Sequence, residues 1–365
     1  MNHSTVFVLA AALLLTGAAG RRAAANELPA KYQEAVNKGL EWLAKQQLAD
    51  GHWEAQSGQP YPMAMTGLAG MAFLMEGSTL RDGKYQAQIR KAVEWFLKRS
   101  QPNGLLGNPS NGLEMGRYMY GHGYGLMFLA CAYGEEDDPE RRVKLEDVLT
   151  RAVQFTGKSQ SSTGGWNYVS GADSGYDAGH EGSVTIIQVQ SLRAARNAGI
   201  VVPLTIVKKA HEYLKQATDS NGGVMYRLGS GGGTGPLTVQ AISCLFSAGE
   251  YDDPLVKTWL AFVQRSIPID SSGIDRFGHY EYTHYYYAQV AYMLGEDGYR
   301  KIFPSSREAE RLTWSRYKSN VLDGLVKRQS ADGSWTSGYI GQVYSTACFL
   351  AMLQLEKGTL PLYQK

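Results

Sequence analysis

The chain has 365 residues, 44% of them hydrophobic and 19% charged, a balance that suits a globular core and excludes a disordered or multi-span membrane protein. Its 36 basic and 34 acidic residues leave a formal net charge of +2. They are scattered and form no basic stripe, so the sequence offers nucleic acid no electrostatic footprint.

In chain order, the first feature is an apolar run from Val6 to Leu15, followed by small residues through Ala23-Ala24-Ala25. This pattern predicts a signal peptide over 1–25, an exported protein (periplasmic, cell-envelope or secreted), and no permanent membrane span in the mature form. Arg21-Arg22 after the run leave an uncleaved anchor as the alternative, although the run is shorter than the roughly 20 residues a bilayer span requires. Residues 26–365 are expected to form one domain.

A helix is predicted over Tyr32–Gln47, with Ala35, Leu40, Leu43 and Ala44 at helical spacing, and a second over Met63–Met75. Between them lies Gln47-Leu48-Ala49-Asp50-Gly51-His52-Trp53. The same Q-x-x-x-G-x-W form returns at Gln160, Gly164, Trp166 and at Gln329, Gly333, Trp335. The intervals are two and three steps of about 56 residues, which implies six rungs. Degenerate rungs fall where that ladder requires them, at Gly104 before Leu106, Gly222 before Val224, and Gly278 before Tyr280.

Each rung thus joins two helices. Further first helices are predicted near Ala87–Lys98, Leu145–Gly157, Thr205–Gln216, Pro254–Arg265 and Glu308–Arg328. Their partners begin near Gly116, Gly182, Leu237, Thr283 and Val343. The partners are richer in Ala, Leu, Val and Met and should form an inner ring. A hairpin of this kind cannot bury both faces alone, so six should stack and close: the expectation is an all-α protein, an (α/α)6 toroid of helical-hairpin repeats. Cys131, Cys244 and Cys348 each sit in an apolar helical stretch and read as buried reduced thiols.

Lys38-Gly39, Trp42-Leu43, Gln47, Gly51 and Trp53 together resemble the QW motif of triterpene cyclases. Repeat three matches from Arg151-Ala152 and Phe155 to Trp166. The resemblance, covering roughly residues 32 to 357, implies the α/α toroid of the terpene cyclase and protein prenyltransferase superfamily. Met119-Tyr120-Gly121-His122-Gly123, Gly164-Gly165-Trp166-Asn167-Tyr168 and Leu360-Pro361-Leu362-Tyr363 are similar to segments of bacterial exported prenyltransferase/squalene-oxidase repeat proteins.

The reactions of that superfamily do not transfer with the fold. The D-x-D-D acid segment of squalene cyclases is absent, and Gly179-His180-Glu181-Gly182 stands where it would lie. The prenyltransferase zinc ligands are also missing, and the Gly-Cys-Gly-Glu-Gln run of thioester domains does not occur. No metal and no cofactor is therefore expected.

The 23 tyrosines, against 10 phenylalanines, concentrate where inner helices begin and should share one mouth of a central cavity. Asp177, His180 and Glu181 are the candidates for acid-base duty. Glu114, Arg117, Tyr120, His122, Tyr176, Tyr282, His284 and Tyr285 are the candidates for binding. The leading expectation is an isoprenoid or other lipid in the cavity, which requires that the cavity not be filled by the protein's own side chains. An exported polysaccharide-acting enzyme and a non-catalytic binding or scaffold protein are the alternatives.

Overall fold

The structure is a computed structural model that describes residues 26–110, 112, 114–172, 177–269 and 279–364. The proposed signal segment, Tyr176 and the rung at Gly278 lie outside the described residues.

Outer helices announce themselves by one-sided burial. In α1 (Ala30–Lys45) the buried residues are Tyr32, Ala35, Val36, Gly39, Leu40, Trp42 and Leu43, a single stripe at helical spacing. Its partner α2 (Pro62–Glu76) is buried on every side from Pro62 to Met75. The same alternation continues through α3 (Gln86–Arg99) and α4 (Tyr118–Tyr133), α5 (Pro139–Lys158) and α6 (Gly182–Asn197), α7 (Leu204–Gln216) and α8 (Gly235–Ala248), and α9 (Pro254–Ser266) and α10 (Tyr280–Leu294). After a short α11 (Gly298–Ile302), the sixth outer element is α12 (Trp314–Tyr317), a π turn over Lys318–Leu322 and α13 (Asp323–Lys327); the last inner helix is α14 (Gln342–Gln354).

The boundaries differ from expectation in two places. Helix α5 starts six residues early because Asp138 caps it, accepting from the Arg141 N–H at 2.8 Å. The sixth outer helix starts late because Thr313, not a residue near Glu308, accepts from the Arg316 N–H at 3.2 Å.

The ring closes. Inner helices pack in the order α2, α4, α6, α8, α10, α14, and α14 returns against α2 and α1. The Gln-Gly-Trp turns show how. Gln47 Nε2 donates to Gly51 O in its own turn and to Gln88 O on the next outer helix, both at 2.9 Å. Gln160 does the same with Gly164 O and Ile206 O, and Gln329 with Gly333 O and Ala35 O on α1, joining the sixth repeat to the first. Gly51, Gly164 and Gly333 have φ of 106°, 96° and 95°. A Cβ at these three would fall 2.5, 2.2 and 2.4 Å from a carbonyl oxygen of the next outer helix. Only glycine lets the turn reach its neighbour.

Each tryptophan is fixed twice. Its Nε1 donates at 2.8 Å to a carbonyl of its own outer helix: Leu43, Thr156 or Leu325. Its backbone N–H donates to a threonine on the following inner helix, Thr66, Thr185 or Thr346, at 3.0–3.1 Å. The degenerate rung at Val224 keeps this second bond, to Thr238 Oγ1 at 2.9 Å. At Leu106 the acceptor is His122 Nδ1, at 3.1 Å.

Candidate functional site

The inner helices run parallel, so their N-termini gather at one end of the ring, as the sequence implies. What they surround is occupied. Tyr286 of α10 meets Tyr124 of α4 across the ring, and both are buried, as is Tyr344 of α14. Deeper in, Gln190 Nε2 of α6 donates to Ser243 Oγ of α8 and to Gln289 Oε1 of α10, each at 3.0 Å. Burial raises the Tyr124, Tyr286 and Tyr344 phenols well above their ordinary value, so they stay neutral. At the far end Tyr363, from a 3₁₀ turn at Pro361–Tyr363, reaches in to hydrogen-bond Tyr285 at 2.9 Å. The open cavity expected for a long apolar ligand is, along this bore, packed with phenols and amides.

Several residues expected at the mouth are instead consumed by the fold. His122 is fully buried. Its Nδ1 accepts from Leu106, so Nε2 carries the proton and donates to Thr156 Oγ1 at 2.9 Å. Desolvation lowers its pKa to about 3. It is the second repeat's substitute for the threonine staple, a role visible in the sequence only once the turns are aligned in space. His284 is 2% exposed and faces outward, with Nδ1 2.8 Å from the Tyr317 hydroxyl and its ring stacked on Tyr280. Tyr285 serves the opposite end of the bore. The sequence placed these three by their position near helix starts; one turn of helix rotates a side chain by about 100° per residue, and that decides which way each points.

The three acid-base candidates are also spoken for. Asp177 is exposed and accepts from the N–H groups of Ser162 and Gly179, at 2.9 and 2.8 Å. The bonds from Ser162 hold its pKa below the ordinary carboxyl range. His180 accepts from the Leu228 N–H at Nε2 (3.2 Å) and pairs at Nδ1 with Thr163 Oγ1 (3.1 Å). Burial, then the nearby Arg227, lowers its pKa, so it ties two loops together as a neutral ring. Glu181 is the N-cap of α6 and is fully buried, taking the N–H groups of Ser183 and Val184 at 3.0 and 2.9 Å and the Ser183 hydroxyl at 2.6 Å. Burial nonetheless raises its pKa. Glu114, also buried and raised for the same reason, accepts from the Asn108 N–H at 2.6 Å and from Met63 at the start of α2.

What faces solvent at the mouth is tyrosine. Tyr120 and Tyr282 are the half-buried top layer over the filled bore; Tyr120 is bonded to Ser183, and Tyr282 donates to Gln240 Oε1 at 3.1 Å. Tyr168 lies 5.6 Å from Tyr120, ring to ring, and its hydroxyl meets that of Tyr226, which is exposed. The Arg117 guanidinium stands 5.1 Å over Tyr168, and Arg227 lies beside Tyr226. Tyr339, 62% exposed, packs edge-on to His279 before α10. Sequence reading singled out Tyr120, Tyr282 and Arg117 for this face but missed Tyr168, Tyr226 and Tyr339; each lies in the loop leading into an inner helix, which is the signal that would have found them.

A further glutamate was passed over. Glu281, in the first turn of α10, is fully buried; Oε2 accepts from the Ser337 hydroxyl at 2.9 Å, and Oε1 has no hydrogen-bond partner. The two non-glycine residues with left-handed backbone among the described residues, Tyr61 and His279, are the N-caps of α2 and α10 on this side of the mouth. Among the described residues, no group of three or more His, Cys, Asp or Glu side chains is placed to hold a metal ion, and no helix is long and apolar enough to cross a membrane.

Comparison with known proteins bears on the fold. No protein-family model matches the chain. Lanosterol synthases from Homo sapiens and Mus musculus match over 90 residues at 33% and 30% identity, covering 25% of this chain and 12% of each synthase. The type II terpene cyclase MstE from Scytonema, in complex with geranylgeranyl dihydroxybenzoate, superposes with a TM-score of 0.55 at 14% identity, over 90% of this chain and 98% of its own. The α-1,6-mannanase GH76A of Salegentibacter, in complex with α-1,6-mannotriose, superposes with a TM-score of 0.60 at 9% identity, over 90% and 99%. Identities this low speak for architecture alone, and that architecture is the α/α toroid common to the terpene cyclase and the mannanase.

Proposed function

We propose that this toroid binds a hydroxyl-rich ligand, an oligosaccharide, on the tyrosine face at the N-terminal end of its inner helices. The observation that carries the reading is the pairing of a bore filled by Tyr124, Tyr286 and Tyr344 with exposed or half-exposed Tyr120, Tyr168, Tyr226, Tyr282 and Tyr339 above it. Tyrosine rings offer a flat apolar surface for the C–H face of a sugar, and their hydroxyls offer both a donor and an acceptor. Arg117 and Arg227 add donors at the rim. Export, which the N-terminal sequence suggests, would bring such a protein to extracellular or envelope glycans.

Glycoside hydrolysis needs two carboxyl groups facing one another across a bond, about 5 to 9.5 Å apart. Glu114, Glu181 and Asp177 are instead engaged with backbone N–H groups. Binding is thus the activity these residues support. The second reading, an isoprenoid ligand, draws on the local likeness to lanosterol synthase and on the fold shared with MstE.

Differential scanning of the protein against α-1,6-mannotriose, other envelope oligosaccharides and geranylgeranyl compounds separates the two. A ligand at 100 times its Kd adds about 2.7 kcal/mol of stability. Stabilisation by oligosaccharides that is lost in Tyr168→Ala and Tyr226→Ala supports the glycan reading. Stabilisation by geranylgeranyl compounds alone replaces it with the isoprenoid one.

A further inference from the structure

Glu281 differs from the other buried glutamates of the mouth. Glu114 and Glu181 each receive backbone N–H donors, and Glu181 a hydroxyl besides. Glu281 receives one hydroxyl, from Ser337, on one oxygen. The other oxygen is buried and receives nothing. A buried acceptor without a donor costs about 1–3 kcal/mol relative to a satisfied one, and for a carboxylate oxygen that cost calls for an explanation.

A glycine-bearing loop lies against Oε1. The loop from Ser337 to Gly341 passes over it, and Gly338 lies so close that a Cβ there would stand 2.2 Å from Oε1. Gly338 has φ 61° and Gly341 φ 120°, so the segment turns on two left-handed glycines. Ser337 is anchored through its backbone: its N–H donates to Ser345 Oγ at 3.2 Å, and its carbonyl accepts from the same hydroxyl at 2.8 Å. Beyond that anchor, Gly338 and Tyr339 are exposed, and Tyr339 rests edge-on against His279, itself in a left-handed conformation that costs a non-glycine residue about 1 kcal/mol or more. Bulk is excluded at Gly338, which lies against Oε1, and a strained residue lies at the contact that Tyr339 makes.

We propose that Glu281 Oε1 is the ligand-accepting atom on this side of the mouth, receiving a hydroxyl of the bound oligosaccharide when the strap Gly338–Gly341 swings off it. This rests on the glycan reading above. In the closed structure the strap occupies the place of the ligand. On opening, Ser337 stays anchored to Ser345 and continues to hold Oε2, so the carboxyl group keeps its orientation while Oε1 is uncovered. Tyr344, which neighbours Glu281 electrostatically, then flanks the incoming hydroxyl from the bore side, and Tyr339 travels with the strap to its outer edge.

Two measurements test this separately from the glycan reading. The first needs no ligand. The native protein is treated with a water-soluble carbodiimide and an amine, and modified carboxyls are located by peptide mass spectrometry. Modification of Glu281 well ahead of the equally buried Glu181 is the expected result, and it should rise severalfold in Gly338→Ala, where the added methyl forces the strap outward. Glu281 as inert as Glu181 in both proteins overturns the proposal. The second is the affinity for α-1,6-mannotriose, or for whichever oligosaccharide stabilises the native protein, measured by titration calorimetry for wild type, Glu281→Ala and Glu281→Gln. A loss of tenfold or more in Glu281→Ala, with its melting temperature within a few degrees of wild type, supports the assignment; equal affinity overturns it and leaves the glycan reading standing. If no oligosaccharide binds wild type, the glycan reading falls and the oligosaccharide assignment of Oε1 falls with it, while the labelling result still decides whether the strap opens.

Discussion

The mouth of this ring has two sides built from the same parts with opposite results. Where α4, α6 and α8 begin, the histidines and the α6 glutamate named from sequence are absorbed into the fold: His122 staples a turn, His180 joins two loops, and Glu181 caps a helix with three donors. Where α10, α14 and α2 meet, Glu281 keeps an oxygen unsatisfied beneath a glycine strap, and Tyr61 and His279, the left-handed non-glycine residues among those described, cap α2 and α10. The difference teaches that burial and proximity to a helix start do not identify a functional carboxyl. On the proposal made for Glu281, the count of its donors does.

The largest expected effect concerns His122. Its folded pKa, lowered to about 3, lies below the ordinary 6.5, so the unfolded chain binds the proton first as pH falls. Stability is therefore complete above about pH 6.5 and is lost as pH falls toward 3, by about 4 kcal/mol from this group. The difference in denaturant-unfolding free energy between wild type and His122→Thr, which restores the staple used in the other repeats, should carry that acid-side slope. A slope identical in both proteins would remove His122 from the side where everything is consumed by the fold.

Next in size, Glu181→Ala strands two buried N–H groups and the Ser183 hydroxyl, and should cost about 2 kcal/mol in a urea titration at neutral pH. A cost below about 0.5 kcal/mol would mean that the cap is dispensable, and the contrast with Glu281 would lose its meaning. The pH dependence of the same site sharpens the point. Because the folded pKa of Glu181 is raised above the ordinary 4.5, its contribution is fully present below that value and declines as pH rises through the folded pKa. Wild type should thus lose ground against Glu181→Gln on going from pH 4 to pH 7.

The smallest effect is expected on the other side. Glu281→Gln gives up no backbone donor and should unfold within about 0.5 kcal/mol of wild type. A cost as large as that of Glu181→Ala would show that Glu281 is a structural group after all, and would erase the difference between the two sides.

Much of the architecture was legible because it follows from a period. The turns at Gln47, Gln160 and Gln329 recur at multiples of one step, which implied six hairpins and a closed ring; the apolar composition of the second helices implied the inner set, and closure is now seen between Gln329 and Ala35. Glycine at 51, 164 and 333 was legible as part of the repeated motif, and the structure shows why nothing larger fits there. The site was less legible. His180 and Glu181 were chosen by alignment with an acidic segment, and Asp177, Tyr120, His122, Tyr282, His284 and Tyr285 by closeness to helix starts. Both criteria fix height in the ring and neither fixes direction.

Direction was left to tertiary structure, for a physical reason. Whether Tyr124 and Tyr286 line a cavity or meet across it depends on how closely two opposite helices approach, which no local pattern encodes. Glu181 finds its donors in its own first turn, at Ser183 and Val184, whereas Glu281 has only Ser337, a residue of a loop distant along the chain. The sequence by itself determined the repeat, the ring and the end at which its inner helices begin; only packing across the ring decided that the bore is filled, that the tyrosine face lies above it, and that one glutamate was left unsatisfied.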